Sequence, residues 1–257
     1  MESQENKMQS NQKEGLIIGR NAVMEAIRSG RAIDCIFLAK GNRSGAMVSL
    51  ISKAKSKGIL IKETDSRKLE FMCGHSNHQG IVASGAVKEY VSVEDILTIA
   101  REKNEDPFLI LADGLCDPHN LGAVLRTADC VGAHGVIVPK HHATGLTYAV
   151  GKTSAGAVEY VPVARVSSMA ATVELLKKQG IWIYAADMDG IPFDQVDFSG
   201  PLALVIGSEG NGVSKLVKEK SDFIVSLPMY GNVNSLNASV ACGVLCYQIS
   251  SCRHRKQ

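Results

Sequence analysis

Residues 227–248 read Leu-Pro-Met-Tyr-Gly-Asn-Val-Asn-Ser-Leu-Asn-Ala-Ser-Val-Ala-Cys-Gly-Val-Leu-Cys-Tyr-Gln, a run of turn-forming and small polar residues that leads directly into an apolar segment. The run follows a predicted strand at 222–227, and either Ser235 or Asn237 can cap a helix that begins after it. Because the first amides of a helix have no partner inside the helix, they are free to bind a ligand in front of them. The segment therefore predicts a strand, loop and helix that together carry a binding site.

Two further segments have the same form. Residues 202–214 read Leu-Ala-Leu-Val-Ile-Gly-Ser-Glu-Gly-Asn-Gly-Val-Ser, a buried strand followed by a glycine-rich loop with the carboxylate of Glu209. Glycines allow the backbone of such a loop to approach a ligand closely. Residues 109–127 read Leu-Ile-Leu-Ala-Asp-Gly-Leu-Cys-Asp-Pro-His-Asn-Leu-Gly-Ala-Val-Leu-Arg-Thr, another strand that is followed by Asn120 and Arg126.

A glycine-rich turn between a strand and a helix is also typical of dinucleotide-binding proteins. Their fingerprint is Gly-x-Gly-x-x-Gly after the first strand of a βαβ unit. Here Gly207, Gly210 and Gly212 have the spacing Gly-x-x-Gly-x-Gly and follow a late strand. The spacing therefore argues against a hydride-transfer enzyme.

Taken together, the three segments resemble the three motifs of the SPOUT superfamily, specifically its SpoU (TrmH) branch of RNA ribose 2′-O-methyltransferases. The motifs lie in the expected order across the second half of the chain. They are Asn-x-Gly-x-x-x-Arg-Thr, Gly-x-Glu-Gly-x-Gly and Ser-Leu-Asn-x-Ser-x-Ala. The matching residues are Asn120, Gly122, Arg126 and Thr127, then Gly207, Glu209, Gly210 and Gly212, then Ser235, Leu236, Asn237, Ser239 and Ala241. Asn234 is a small departure, because relatives often carry serine there.

The resemblance implies a cofactor and a fold. It implies S-adenosylmethionine as the cofactor, bound by the backbone at Gly207, Leu227 and Leu236 with Met229 nearby. It also implies a deep C-terminal trefoil knot, which general topology rules make rare and which no periodicity in the sequence predicts.

The same resemblance suggests roles for five catalytic residues. We expect Arg126 to bind a phosphate and to stabilise the alkoxide that develops on the ribose, because a guanidinium holds its proton too tightly to be a good base. The family has also been described with this arginine as the proton acceptor. Asn120 and Asn237 would orient the target nucleotide, Glu209 would order neighbouring side chains or accept a proton, and Ser235 completes the set.

The chain is predicted to be an α/β protein with two domains. We expect a disordered tail at 1–12, an RNA substrate-binding domain at 13–88, a linker at 89–104 and the methyltransferase domain at 105–257. The 13–88 segment is predicted to form a small α/β/α unit with helices at 21–28 and 46–57 and strands at 33–39, 59–62 and 81–84. It resembles the domain similar to ribosomal protein L30e that some SpoU enzymes carry.

Near-continuous apolar runs predict a parallel sheet covered on both faces in the second domain, with strands at 108–112, 135–138, 161–166, 181–185, 202–206 and 223–227.

Charge is distributed unevenly along the chain, although its net charge is only +2. Residues 13–88 contain thirteen Lys or Arg and six Asp or Glu, a balance of +7, whereas residues 105–257 contain twelve and fourteen, a balance of −2. A basic excess over a whole domain is expected of a protein that contacts phosphates. Part of it is the series Lys53, Lys55 and Lys57. RNA is therefore the expected partner, and DNA is not.

The cysteines and histidines indicate the cellular compartment of the protein and whether it has a metal site. The seven cysteines include no Cys-x-x-Cys pair, which indicates reduced thiols in a cytoplasmic protein. The sequence shows neither a membrane span nor a secretory signal. Cys242 and Cys246 lack further ligands at metal spacing and are predicted to be core residues, and His141 and His142 are predicted to lie in a solvated loop. No metal is expected.

These observations predict a cytoplasmic, S-adenosylmethionine-dependent RNA ribose 2′-O-methyltransferase that forms a homodimer. It is most similar to the enzymes that methylate a guanosine of large-subunit (23S) rRNA. One alternative is a tRNA ribose 2′-O-methyltransferase. The other is a non-catalytic RNA-binding or ribosome-assembly relative, against which the intact set of Asn120, Arg126, Glu209 and Asn237 argues.

Overall fold

A computed structural model describes residues 15–41, 45–74 and 77–254, which form two compact units. The N-terminal unit contains the described residues up to Glu89 together with Leu146–Tyr148, and the C-terminal unit contains the rest. The tail predicted at 1–12 lies outside the described residues. None of the helices that the structure describes combines the length and the apolar character needed to cross a bilayer.

The N-terminal unit is a four-stranded mixed sheet with helices. Its strands lie in the order β1-β4-β2-β3, with β2 and β3 parallel and the other pairs antiparallel. Its elements are β1 (Leu16–Ile18), α1 (Arg20–Arg28), β2 (Ile33–Ala39), α2 (Gly45–Ser56), β3 (Leu60–Thr64), α3 (Ser66–Cys73) and β4 (Ile81–Gly85). The predicted strand at 33–39 is confirmed, whereas β1 and α3 were not predicted. A polar cap starts α3, because the Asp65 side chain accepts a hydrogen bond from the amide of Arg67 at 2.8 Å.

The C-terminal unit is built on a six-stranded parallel sheet, as the apolar runs predicted. Its strand order is β10-β8-β9-β5-β6-β7, and all neighbouring strands are parallel. The strands are β5 (Phe108–Asp113), β6 (Gly135–Pro139), β7 (Val163–Val166), β8 (Trp182–Pro192), β9 (Leu202–Gly207) and β10 (Phe223–Ser226). The trefoil knot that the resemblance implies stays a prediction.

Six α-helices of the described chain accompany these strands. They are α4 (Val93–Glu102), α5 (Pro118–Cys130), α6 (Tyr148–Thr153), α7 (Met169–Lys178), α8 (Lys215–Lys220) and α9 (Ala238–His254). Helices α5 and α9 pack against each other, and α7 packs against α8. Cys242 and Cys246 lie fully buried on the inner face of α9, with their Sγ atoms 3.7 Å apart, so their assignment to the core is confirmed.

The segment predicted as a linker, 89–104, is largely part of the C-terminal unit. Helix α4 begins with a capping box between Ser92 and Asp95, and it buries Ile96 in the same core cluster as strands β5 and β6. Gly135 makes this packing possible, since a Cβ there would lie 2.7 Å from Cδ1 of Ile96. The apolar face of α4 explains why this segment packs on the sheet.

Strand β8 contains an excursion that the sequence did not predict. Ala185 pairs with Ile224 of β10, but the next β10 residue, Val225, pairs with Ile191. Residues 186–190 of β8 therefore bulge out of its pairing with β10 at the carboxyl end of the sheet. Gly190 ends this excursion against β10, where a Cβ would lie 2.6 Å from the carbonyl carbon of Ile224. The predicted strand at 181–185 ends where this excursion begins.

A buried histidine joins the starts of strands β5 and β6. The side chain of His134 is fully buried, and its Nδ1 accepts a hydrogen bond from the amide of Phe108 at 3.0 Å. Its Nε2 therefore carries the proton and donates to Oε2 of Glu105 at 3.1 Å. Burial lowers the pKa of His134 below its ordinary value, although Glu105 acts in the opposite direction.

We expect His134 to make stability depend on pH. Because its pKa is lower in the folded than in the unfolded chain, its contribution is complete above about pH 6.5 and declines as the pH falls toward the folded pKa. Urea unfolding of the wild type and of His134→Gln at about pH 7.5 and about pH 5.5 checks this. The wild type should lose more unfolding free energy than the variant; parallel losses would contradict the assignment.

Candidate active site

The loop after strand β9 is a tight, closed turn. Ser208 and Gly212 exchange two backbone hydrogen bonds, with the amide of Ser208 donating at 3.1 Å and that of Gly212 at 2.8 Å. Gly207, immediately before the turn, lies against its far side, where a Cβ would be 1.9 Å from the carbonyl carbon of Gly212 and 2.1 Å from the nitrogen of Val213. Residues 208–212, which we call the acidic turn, therefore hold Glu209 in a defined position.

Three polar side chains from distant parts of the sequence meet at this turn. The Nδ2 group of Asn120 donates to Oε1 of Glu209 at 2.6 Å. The Nδ2 group of Asn237 donates to the same oxygen at 2.5 Å and to Oδ1 of Asn120 at 3.0 Å. We call Asn120, Glu209 and Asn237 the polar cluster. It joins the three sequence motifs by direct hydrogen bonds.

Two helix starts hold the asparagines of the cluster. Oδ1 of Asn237 accepts from the amide of Ser239 at 2.9 Å and from the Ser239 hydroxyl at 2.7 Å, so Asn237, rather than Ser235, caps α9. Because its oxygen is used by the helix, its amide nitrogen faces Glu209. Asn120 lies in the first turn of α5 and is only 5% exposed.

A cavity of about 490 Å³ opens beside the cluster, at the carboxyl ends of β8, β9 and β10. All four predicted cofactor residues line it, and so do two of the predicted catalytic residues, Glu209 and Ser235. The four cofactor residues are Gly207, Leu227, Met229 and Leu236.

Part of the cavity wall was missed by the sequence motifs. The excursion of β8 supplies Ala186, Asp187 and Met188 to this wall, and none of the three belongs to a motif. Gly190 and the acidic Asp-Met-Asp run at 187–189 were the signals in the sequence that could have indicated a loop at this point.

Asp187 brings a negative charge to the wall of this cavity. Burial by itself would raise the pKa of Asp187, but hydrogen bonds from Lys218 and from backbone amides outweigh burial and hold the pKa below its ordinary value. Nζ of Lys218 lies 3.0 Å from Oδ2 of Asp187. The carboxylate is therefore ionised at neutral pH.

Arg126 is not part of the polar cluster. It is exposed on α5, does not line the 490 Å³ cavity, and makes no hydrogen bond or ion pair with the residues that the structure describes. Its neighbour Thr127 faces α9, with Oγ1 4.0 Å from where a Cβ on Gly243 would lie. The structure thus brings together four of the five predicted catalytic residues around the turn and leaves Arg126 on the outer surface.

Comparison with known families agrees with this arrangement. Residues 107–247 match the family model described as the SpoU rRNA methylase family. The chain belongs to the SpoU methylase family. Residues 16–91 match a second model, described as RNA 2′-O ribose methyltransferase substrate binding. The SpoU match spans the motifs that form the polar cluster, so the resemblance read from the sequence is confirmed.

Individual relatives cover nearly the whole chain. A putative TrmH family tRNA/rRNA methyltransferase of Bacillus subtilis (strain 168) is 47% identical over 239 residues, which are 93% of this chain and 96% of that protein. A putative TrmH family tRNA/rRNA methyltransferase of Staphylococcus haemolyticus (strain JCSC1435) is 41% identical over 242 residues, or 93% and 96% of the two chains. This SpoU-family protein is therefore an RNA methyltransferase.

Solved structures show the same fold. The SpoU methyltransferase AviRb of Streptomyces viridochromogenes, in complex with AdoMet, aligns with a TM-score of 0.59 and 23% identity over 92% of this chain and 89% of that one. An AdoMet-bound rRNA methyltransferase of Sinorhizobium meliloti aligns with a TM-score of 0.58 and 21% identity over 96% and 90%. The α/β fold class predicted from the sequence is confirmed.

We expect alanine to be tolerated at Gly210, in the acidic turn, but not at Gly207, immediately before it. Gly207→Ala should lower the free energy of unfolding by about 1–3 kcal/mol, because its Cβ has no space against Gly212. Gly210→Ala is the matched control: a Cβ there meets nothing within 4 Å, and the change should stay within about 1 kcal/mol. Urea unfolding measures both; equal losses would show that close approach at Gly207 does not hold the turn.

Proposed function

We propose that this SpoU-family protein transfers a methyl group from S-adenosylmethionine to the 2′-hydroxyl of a ribose in RNA. The observation that carries the proposal is the polar cluster, which joins three segments at the edge of a ligand-sized cavity. The family model matched by residues 16–91 is named for 2′-O ribose methyltransferases, and it supports the ribose as the acceptor.

The 490 Å³ cavity fits S-adenosylmethionine in size and chemistry. Its volume lies within the range of about 300–1,000 Å³ that is usual for small-molecule sites. Apolar side chains of Ile206, Leu227 and Leu245 suit the adenosine, and the Asp187 and Glu209 carboxylates suit a cofactor that carries positive charge on its sulfonium and amino groups. When bound, S-adenosylmethionine supplies an electrophilic methyl carbon. The AdoMet-bound structures from S. viridochromogenes and S. meliloti agree with this cofactor.

The residues of the chain then have to position the acceptor and take its proton. A ribose hydroxyl is a very weak acid, and positioning alone can lower the barrier by about 7–11 kcal/mol. Oε1 of Glu209 is occupied by the two asparagine amides, so its Oε2 is the atom free to accept a proton. Asn120 and Asn237 hold this carboxylate in place, and the Ser235 hydroxyl on the cavity wall can hydrogen-bond the ribose.

Arg126 fits this chemistry best if a second copy of the chain supplies it. Arg126 is six residues beyond Asn120, which corresponds to about 9 Å of rise and about 120° of rotation on a helix. Its guanidinium therefore leaves α5 on a different face from the polar cluster. Supplied by a partner, it would bind an RNA phosphate and stabilise the developing alkoxide.

Helix α9 offers the surface for that second copy. Val240, Val244 and Tyr247 are 51%, 40% and 59% exposed and follow one another at helical spacing, opposite the buried face that contains Cys242 and Leu245. A helix that is apolar on both faces needs a partner on the outer one. We therefore propose a symmetric homodimer through α9, which lies beside the Arg126 helix.

Mixing inactive subunits tests whether Arg126 acts across the dimer. Arg126→Ala and Glu209→Gln should each reduce methylation by orders of magnitude, yet a mixture of the two should regain about a quarter of wild-type activity, from one complete site in each mixed dimer. Methylation of RNA with labelled S-adenosylmethionine measures this.

The matched control mixes Glu209→Gln with Asn237→Ala. These two residues share a hydrogen bond within one protomer, so no mixed dimer contains a complete site and no activity should return. Recovery in the control, or none in the Arg126 mixture, would show that Arg126 does not act across the dimer.

For the target, we propose a guanosine of 23S rRNA, methylated in the cytoplasm. The description of the family model matched by residues 107–247 names rRNA, which supports an rRNA target, and the seven free thiols fit a reducing compartment. A tRNA ribose is the alternative, since the B. subtilis relative carries both targets in its name.

Mapping 2′-O-methyl groups in the RNA of cells with and without the gene distinguishes these targets. One missing guanosine mark in 23S rRNA is expected, and a missing tRNA mark would favour the alternative. The absence of any missing mark would contradict the proposed 2′-O-ribose target in both RNAs.

We expect the N-terminal unit to contact RNA phosphates through Lys53 and Lys55. Both are exposed at the end of α2, whereas Lys57 donates a hydrogen bond to the carbonyl of Ile27 and is left unchanged because it also serves the fold. Lys53→Gln with Lys55→Gln should weaken RNA binding and reduce its salt slope by about 0.7–0.9 for each phosphate that is no longer bound. Filter binding at several salt concentrations measures the slope. Lys178→Gln, exposed on the C-terminal unit, is the control; an equal effect of both changes would argue against a role for α2.

A further inference from the structure

The C-terminal unit contains a second cavity, of about 790 Å³, which is larger than the 490 Å³ cavity proposed for the cofactor. It lies at the carboxyl ends of β5, β6, β7 and β9, on the other side of the acidic turn. The loops that follow these strands supply Cys116, Asp117, His141 and Ser168 to its wall. We call it the outer cavity.

The outer cavity adjoins the polar cluster directly. Glu209 and the rest of the acidic turn line both cavities, and Asn120 lines the outer one. A group bound in the outer cavity is therefore separated from the cofactor cavity only by the turn that carries Glu209.

The wall of the outer cavity accepts hydrogen bonds and carries negative charge. Asp113, Asp117 and Glu209 line it, and no lysine or arginine is among its described lining residues. One oxygen of each carboxylate is used: Oδ2 of Asp113 accepts from the amide of Ser214 at 2.8 Å, Oδ1 of Asp117 from the amide of His119 at 2.9 Å, and Oε1 of Glu209 from the asparagines. Within the described parts of the chain, the second oxygen of each accepts no hydrogen bond.

Such a wall repels a phosphate and selects a neutral group with N–H donors. Guanine presents two adjacent donors, N1–H and the N2 amino group, and the free carboxylate oxygens on this wall can accept from them. Adenine, cytosine and uracil each present an acceptor where guanine has one of these donors. Exposed His141 and His142 rings beside the carboxylates offer faces on which a base can stack.

We propose that the outer cavity receives the base of the target nucleotide, turned out of its RNA structure, and that its carboxylates select guanine. The proposal rests on the methyl transfer proposed above and adds the residues that choose the nucleotide. We assign the recognition of the base to Asp117, because it lines the cavity, caps the helix that carries Asn120 and uses only its Oδ1 for that cap. Enzymes that act on a base bind it in this turned-out form, and a turned-out nucleotide would also expose its ribose.

The loops around the cavity are joined in a way that supports a defined pocket. His142 has a left-handed backbone with φ of 57°, which a residue with a side chain adopts at a cost that surrounding contacts must offset. The Cys116 Sγ–H donates to the carbonyl of His142 at 3.3 Å and links the β5 loop to the β6 loop. The Cys116 thiol is exposed and lines the cavity, so it can be alkylated there.

Alkylation of Cys116 tests the pocket. In a Cys130→Ser, Cys252→Ser protein, Cys116 is the one exposed thiol, because the other four cysteines are buried. N-ethylmaleimide on Cys116 should lower methylation of 23S rRNA about tenfold or more relative to the same protein without reagent, since a blocked base cannot be positioned. Affinity for S-adenosylmethionine, measured by calorimetry, should stay within about twofold.

The matched control carries Cys116→Ser and Cys252→Ser and is labelled at Cys130, which is exposed at the far end of α5 and outside the cavity. Its methylation should change less than about twofold on labelling. Labelling at Cys116 without a fall in methylation would overturn the proposal. A fall in cofactor affinity on that labelling would also overturn it, because the cavity would then belong to the cofactor site.

A protection assay tests the choice of base without any turnover. Guanosine should slow alkylation of Cys116 more than adenosine, cytidine or uridine do, and Asp117→Asn should remove this preference while keeping the cap of α5. Equal protection by all four nucleosides, or none, would overturn the selection of guanine. If guanosine protects Cys116 but the unlabelled protein transfers no methyl group to RNA, the result supports the base-binding pocket and contradicts the methyl transfer proposed above.

Discussion

The hydrogen bonds of the Asn237 side chain connect the three segments that form the candidate active site. Its oxygen binds the first amides of helix α9, and its nitrogen donates to Glu209 and to Asn120. One amide group therefore ends a loop, starts a helix and connects two other segments of the chain. Because the same group serves both helix capping and the site, the site can be correctly formed only when α9 begins at Ala238.

Close backbone packing makes this connection rigid. Gly207 lies so near Gly212 that no side chain fits, and the turn between them is closed by two backbone hydrogen bonds. Gly122 similarly allows α5 to approach Thr153, where a Cβ would lie 2.0 Å from the hydroxyl oxygen. A carboxylate on a closed turn and an asparagine on a tightly packed helix lose little freedom when they bind each other, which suits a site that acts by positioning.

The arrangement of charge separates the tasks of the two units and of the two cavities. The basic excess of residues 13–88 suits contact with RNA phosphates, whereas the cofactor cavity and the outer cavity have carboxylates on their walls. A carboxylate wall suits a cationic methyl donor on one side of the acidic turn and a base rich in N–H donors on the other. It does not suit a phosphate, so the proposed phosphate contacts fall to Arg126 and the N-terminal unit.

The sequence by itself determined what depends on local pattern. Apolar runs predicted the parallel sheet. The resemblance of the three motifs assigned Asn120, Glu209 and Asn237 to one site, and the structure shows that they are hydrogen-bonded to one another. Only the tertiary structure decided what arises from contacts between distant segments. The excursion of β8 that brings Asp187 to the cavity is defined by pairing with β10, and no local pattern specifies a shift of register. The exposure of Arg126 follows from the face of α5 that packs against α9, and the outer cavity is formed by loops that meet only in the folded chain.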